Sequence, residues 1–293
     1  MDFASLEPLE GGWSGETFLA RVAGGDLQVV RIHARNPGRA EVDAALMRLV
    51  DSLVPVPQVL EVRPPEGDLP ALLVTSYLPG ERGDLVLARL GGDDLAVLGD
   101  HVGTLVATLG GMPWPRAAEL VAVTDGGLVL RAFEGTTVDF VEAALAGPLA
   151  RWSEDDAAGL LAVADEADIR LTTVGRRCLV HSDLNPKNLL VDPDTLEITG
   201  LVDWEYAHAG HPFTDLGNVL RFDRSPAYVD AVLAAYARLR GTPPGEALRL
   251  ARAADLVALV DLAGRAGQNP VADRAEHLLL EIVRTGDLSA APG

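Results

Sequence analysis

Residues 179–222 read LVHSDLNPKNLLVDPDTLEITGLVDWEYAHAGHPFTDLGNVLRF, and the fold is decided here. Three short apolar runs, Arg177 to Val180, Leu189 to Val191 and Ile198 to Val202, predict strands in otherwise helical surroundings. The turn formers Asp192-Pro193-Asp194-Thr195 join the last two runs as a hairpin. The segment His181-Ser182-Asp183-Leu184-Asn185-Pro186-Lys187-Asn188 therefore falls on the loop after the first strand, and Asp203 falls at the end of the hairpin. Phosphoryl transfer needs a carboxylate that orients or deprotonates the attacking hydroxyl, together with oxygen ligands for magnesium. One loop and one hairpin supply these residue types.

On the N-terminal side the signals are strand-like. Leu27 to Ile32, Val59 to Val62 and Leu72 to Thr75 predict strands, and one helix follows the turn Asn36-Pro37-Gly38. Its apolar stripe is Val42, Ala45, Leu46, Leu49, Val50 and Leu53, and Pro55 and Pro57 end it. Beyond Pro79-Gly80 the period becomes helical, starting with Leu95, Leu98, Val102, Leu105 and Leu109. Ser153 with Asp156 predicts an N-cap, Pro226 opens and Gly241 closes a helix, and Asn269-Pro270 starts the last one. Two helical stretches are expected over residues 226–285. The shift in pattern divides the chain into 1–79, a sheet with one helix, and 80–293, a mainly helical part.

The chain has 293 residues and a formal charge of −19, with a sequence pI near 4.6. That balance argues against nucleic acid, whose phosphates reward a basic surface, and favours a cationic small-molecule partner. A single cysteine, Cys178, excludes an intrachain disulfide and a cysteine-based metal cluster. No apolar run approaches the ~20 residues that span a bilayer, and the N-terminus carries no basic and apolar leader pattern. The expectation is a cytoplasmic protein without membrane partners.

The spacing H-x-D-x-x-x-x-N resembles the kinase catalytic loop, and Asp203 stands where the metal-binding aspartate of the DFG motif would be, here followed by Trp204. With the stretch quoted above, the chain resembles the aminoglycoside phosphotransferase family, relatives of choline kinases and protein kinases, over nearly its whole length. The resemblance implies an α+β, protein-kinase-like bilobal fold with a small five-stranded N-lobe and a larger helical C-lobe. It further implies Asp183 as catalytic base, Asn188 and Asp203 as Mg2+ ligands, and Asp215 as a buried acceptor bracing the catalytic loop. His181 is read as structural support. Two departures stand out: His211 replaces the usual aspartate before Pro212, and Asn185 replaces the lysine two residues after the catalytic aspartate. Lys187, the only lysine, lies two places further on, and its role stays open.

The same resemblance guides the N-terminal half. Gly11, Gly12, Ser14 and Gly15 suit a hairpin whose backbone N–H groups cover phosphates. Arg31 replaces the phosphate-gripping lysine of kinases, since a guanidinium can hold phosphate in bidentate fashion. Its partner should be an acid on the next helix, where Glu41 and Asp43 flank opposite edges of the stripe; Glu41 is favoured for reach. Ser76 to Leu78 resembles the hinge whose backbone meets the purine. The implied reaction is transfer of the γ-phosphoryl group of ATP or GTP to a hydroxyl of an aminoglycoside-type antibiotic, with Glu205, His208 and Asp223 as acceptor-binding candidates. Macrolides, amino alcohols and sugars are alternative acceptors, and a non-catalytic nucleotide-binding pseudokinase is the reading from another class.

Overall fold

The computed structural model describes residues 3–9, 16–22, 24–125, 127–133 and 135–291. Gly11, Gly12, Ser14 and Gly15 lie outside the described residues. The chain forms an antiparallel sheet followed by a larger helical part, an α+β architecture. It separates into two compact units: residues 1–94, 118–132 and 183–208 form the first, and residues 95–117, 133–182 and 209–293 the second.

The first unit holds the five-stranded sheet, made of β1 (Phe3–Pro8), β2 (Glu16–Val22), β3 (Leu27–His33), β4 (Val59–Arg63) and β5 (Ala71–Ser76) in the order β1-β2-β3-β5-β4. Every pairing given for it is antiparallel, with Arg31 opposite Thr17 on one side and Leu73 on the other. Helix α1 (Arg39–Val50) packs on β4 and β5. Its buried face includes Val42, Asp43, Leu46, Met47 and Val50, whereas Leu49 and Leu53 of the expected stripe are exposed. Helix α2 (Gly83–Leu87) follows β5 in the same unit.

A second sheet of three strands, Glu81–Arg82, Leu189–Val191 and Ile198–Leu201, belongs to this unit too. Arg82 pairs with Leu190, and Leu189 pairs with Leu201. The division expected at 79/80 thus falls inside the unit, because the chain returns a hundred residues later to complete it. The Asp192 carboxylate accepts from the amides of Asp194 and Thr195 at 2.9 and 3.0 Å, which makes the hairpin turn an Asx turn. The strands Ala118–Thr124 and Gly127–Ala132, not anticipated from sequence, form another hairpin that packs on α1.

The second unit contains α3 (Gly92–Leu109, its first turn counted with the first unit), α4 (Thr137–Leu145), α5 (Glu154–Thr172), α6 (Thr214–Leu220), α7 (Pro226–Arg240), α8 (Pro244–Ala254), α9 (Leu256–Ala263) and α10 (Pro270–Thr285). The caps follow the sequence: Ser153 accepts from the Asp156 amide, Asn269 from the Ala272 amide, and Gly241 ends α7 with φ +74°. Residues 226–285 make four helices rather than two, since the prolines at 243 and 244 and the bend at Asp255 interrupt the period. One core gathers Leu149, Leu160, Leu256, Leu278, Leu279 and Ile282. Close approach of α3 to α7 depends on Gly99 and Gly103, which face Tyr228, Ala231, Val232 and Ala235 directly.

Candidate active site

Strand Arg177–Val180 pairs with Pro113–Trp114 in the second unit and ends at His181. The Asp215 carboxylate, at the start of α6 and only 2% exposed, accepts from the amides of His181 at 2.9 Å and Ser182 at 2.8 Å. Ser182 has φ +65°, a left-handed conformation that a β-substituted residue adopts only under constraint. The two charge-assisted bonds provide that constraint. Cys178, buried two residues upstream of Val180, has its thiol pushed up to about 12 by burial and by the Asp215 charge, so it stays an inert thiol.

Residues 183–188 lie in the first unit. A single 3₁₀ turn, Pro186–Asn188, leads into strand Leu189–Val191. Asn185 Nδ2 donates to Asp183 Oδ1 at 2.6 Å, and Asn188 Nδ2 donates to Asp183 Oδ2 at 2.9 Å and to the Asp183 carbonyl at 2.8 Å. Asn185 therefore orients the carboxylate at the position where the kinase pattern has a lysine. Lys187 Nζ stands 3.7 Å from Asp183 Oδ2, half in solvent. Because Leu189 pairs with Leu201 and the Val202 amide donates to the Asn188 carbonyl at 3.0 Å, Asn188 and Asp203 lie at the same end of the hairpin.

Asp203 is left-handed too, at φ +67°, and starts the 3₁₀ turn Trp204–Tyr206. Trp204 is buried, and its indole N–H donates to the Leu201 carbonyl at 3.1 Å. Arg31 of β3 meets this turn with a fork: Nη1 donates to Asp203 Oδ1 and Nη2 to Glu205 Oε2, both at 2.8 Å. Burial alone would lower the Arg31 pKa, but the charge and hydrogen bond of Asp203, then the charges of Glu205 and Asp43, raise it overall.

Helix α1 reaches the same turn through a residue that the sequence did not single out. Arg39 Nε donates to Asp43 Oδ1 at 2.6 Å, and Arg39 Nη2 donates to the Trp204 carbonyl at 2.5 Å. Glu41, expected as the partner of Arg31, is exposed; the inward acid of the helix is Asp43. The reason is helical geometry: Asp43 shares its face with Leu46, Met47 and Val50 at i+3, i+4 and i+7. Burial raises the Asp43 carboxyl to about 6 against the opposing pull of Arg39 and Arg31, and its Oδ2 has no hydrogen-bond partner. His33, buried at the end of β3, is lowered to about 4 by burial and by Arg31 and Arg39, so it is neutral at neutral pH.

The remaining candidates fall in several places. The Ser76 amide donates to the Gln58 carbonyl at 2.9 Å, which takes it away from a purine, and Leu78 is half-buried beside Gly200. His208 Nδ1 lies 3.0 Å from the Tyr206 carbonyl, and burial lowers its pKa. Asp223 belongs to the second unit, where with burial it raises the phenol of Tyr228. Of the three acceptor candidates, Glu205 is engaged by Arg31.

Solved structures share this architecture. A thermostable mutant of aminoglycoside phosphotransferase APH(4)-Ia, in ternary complex with AMP-PNP and hygromycin B, superposes with a TM-score of 0.69 at 20% identity, covering 97% of this chain and 95% of that one. The GDP complex of wild-type aminoglycoside 2'-phosphotransferase-IIIa gives 0.67 at 18% identity, covering 98% of this chain and 94% of that one. At such identities the likeness is one of fold, the protein-kinase-like fold of the aminoglycoside phosphotransferases. No curated protein matches the chain. The family model described as "Phosphotransferase enzyme family" matches residues 5–250, most of the chain, and the chain belongs to that family.

Proposed function

We propose that this small-molecule phosphotransferase moves the γ-phosphoryl group of a nucleoside triphosphate to a hydroxyl of a cationic, aminoglycoside-type acceptor. The observation that carries the reading is the Asp183 carboxylate, aimed by Asn185 and Asn188 at the end of the hairpin that also presents Asp203. In the proposed step the acceptor oxygen attacks phosphorus, the bond to the β-phosphate oxygen breaks, and the hydroxyl proton passes to Asp183. Arg31 would grip the phosphates, its guanidinium already placed at the turn.

The residues fit a magnesium ion. Asn188 turns its amide nitrogen to Asp183, which leaves its oxygen facing the other way, and Asp203 adds a carboxylate at the same hairpin end. Two hard oxygen donors suit Mg2+, which fills its octahedron with water and phosphate oxygens and there offsets charge on the transferred group. The net charge of −19 supports a cationic acceptor. Solved relatives hold AMP-PNP with hygromycin B in one case and GDP in another, so ATP and GTP both remain donors to test. Among the described residues no helix is long and apolar enough to cross a membrane, and the reading puts the enzyme in the cytoplasm with its nucleotide.

The test is mass spectrometry of a panel of aminoglycosides, macrolides, amino alcohols and sugars incubated with magnesium and ATP or GTP. One compound should gain a phosphoryl group, and Asp183→Asn should slow that gain by ~10²–10⁴ without unfolding the protein. Full activity in the variant would remove Asp183 from its role. Nucleotide binding with no transfer to any compound would favour the pseudokinase reading.

A further inference from the structure

We infer that Glu205 is the positioning residue that holds Arg31 ready for the nucleotide, and that helix α1 fixes the turn carrying Glu205 through the grip of Arg39 on the Trp204 carbonyl. The inference rests on the functional reading above and deepens it. Arg31 and Glu205 are 16% and 15% exposed, and their contact is a charge-assisted bond of 2.8 Å. The other half of the fork goes to Asp203, the residue assigned to the cation. A bound cation would draw on the same carboxylate, whereas Glu205 would keep its hold on the guanidinium.

On α1, Glu41 faces solvent, while Asp43 gives its Oδ1 to Arg39 at 2.6 Å and reaches Arg31 through its charge. What α1 supplies is a fixed turn: Arg39 holds the Trp204 carbonyl from one side, while the buried indole is tied to Leu201 on the other. A mostly buried carboxylate on a turn anchored from both sides holds the guanidinium in place before the nucleotide arrives, which is preorganisation. Glu205 thereby leaves the acceptor-binding group to which the sequence assigned it.

The experiment measures nucleotide binding directly, by calorimetry with ADP in the presence of EDTA and then of magnesium, for wild type, Glu205→Gln, Arg31→Ala and the double variant. E205Q should weaken ADP binding about tenfold with EDTA alone, the scale of losing one charged hydrogen-bond partner. The double variant should be no weaker than R31A within about twofold, because the two side chains act as one unit. Glu205→Asp, which withdraws the charge by one methylene, should fall between wild type and E205Q, and it serves as the measure if E205Q does not fold. An effect of E205Q that appears only with magnesium would make Glu205 a cation ligand and overturn the inference. An unchanged ADP affinity, or additive losses in the double variant, would overturn it as well. If the wild type binds no nucleotide, the functional reading itself falls and takes the inference with it.

Discussion

Replacing Asp215 with Asn exchanges one of two acceptor oxygens for an NH2 group at a site with 2% exposure. The His181 and Ser182 amides, at 2.9 and 2.8 Å, each need one of those oxygens. In the variant one amide keeps a neutral acceptor and the other faces a donor. A buried donor left without a partner costs ~1–3 kcal/mol, and turning a charged acceptor into a neutral one costs about 1 kcal/mol more. The expected loss of stability is therefore about 2–4 kcal/mol. Ser182 would also relax from φ +65°, swinging the direction in which the chain enters Asp183. Turnover should fall by roughly 10–100-fold, on the scale that small misplacements of a catalytic group produce. Urea unfolding followed by far-UV circular dichroism and by tryptophan fluorescence reads the first quantity, and the two probes check that unfolding is a single transition. A loss below about 0.5 kcal/mol, with turnover unchanged, would show that Asp215 does not hold the loop.

Gly103→Ala should destabilise the second unit by ~1–3 kcal/mol, since the new Cβ would run into the Val232 carbonyl and lie 2.9 Å from the Ala235 Cβ; wild-type stability would mean that α3 and α7 separate freely. Asp43 gives a pH dependence of defined sign. Its folded pKa of about 6 lies above the ordinary 3.8, so the native state binds a proton that the unfolded chain has already released. Its contribution therefore favours the folded state most at low pH and is lost as pH rises from 3.8 to about 6. Subtracting the stability–pH profile of Asp43→Asn from that of wild type should expose a fall of up to about 2–3 kcal/mol across that window; parallel profiles would refute it.

The local pattern around residue 183 was legible because its signals are short-range. Turn formers at 192–195 and apolar runs on either side dictate a hairpin, and a hairpin places Asn188 and Asp203 at one end whatever surrounds it. The caps Ser153, Gly241 and Asn269 act within one helical turn and could be read for the same reason. The hairpin at 118–132 also had a local signal, Asp125-Gly126 between alternating runs, which the helical surroundings obscured. Asp43 could have been chosen over Glu41 by counting i+3, i+4 and i+7 neighbours instead of judging reach. The contact of Glu205 with Arg31 and that of Arg39 with the Trp204 carbonyl were not legible. Their roles arise where β3, the start of α1 and a 3₁₀ turn 165 to 174 positions away meet, and no period or spacing encodes that meeting.

The first unit is assembled from three separate stretches of chain, and this sets a timetable for its birth. Strand Glu81–Arg82 has as its partner Leu190–Val191. Roughly a hundred residues must be translated between them, which at ~5–20 residues per second takes about 5–20 s. During that interval the nascent sheet and α1 stand without the hairpin that carries Asp203 and Glu205, and Arg31 has neither carboxylate to hold. The half of the molecule that is made first is thus finished late, and a ribosome paused near residue 180 would display the sheet without the hairpin that completes its unit.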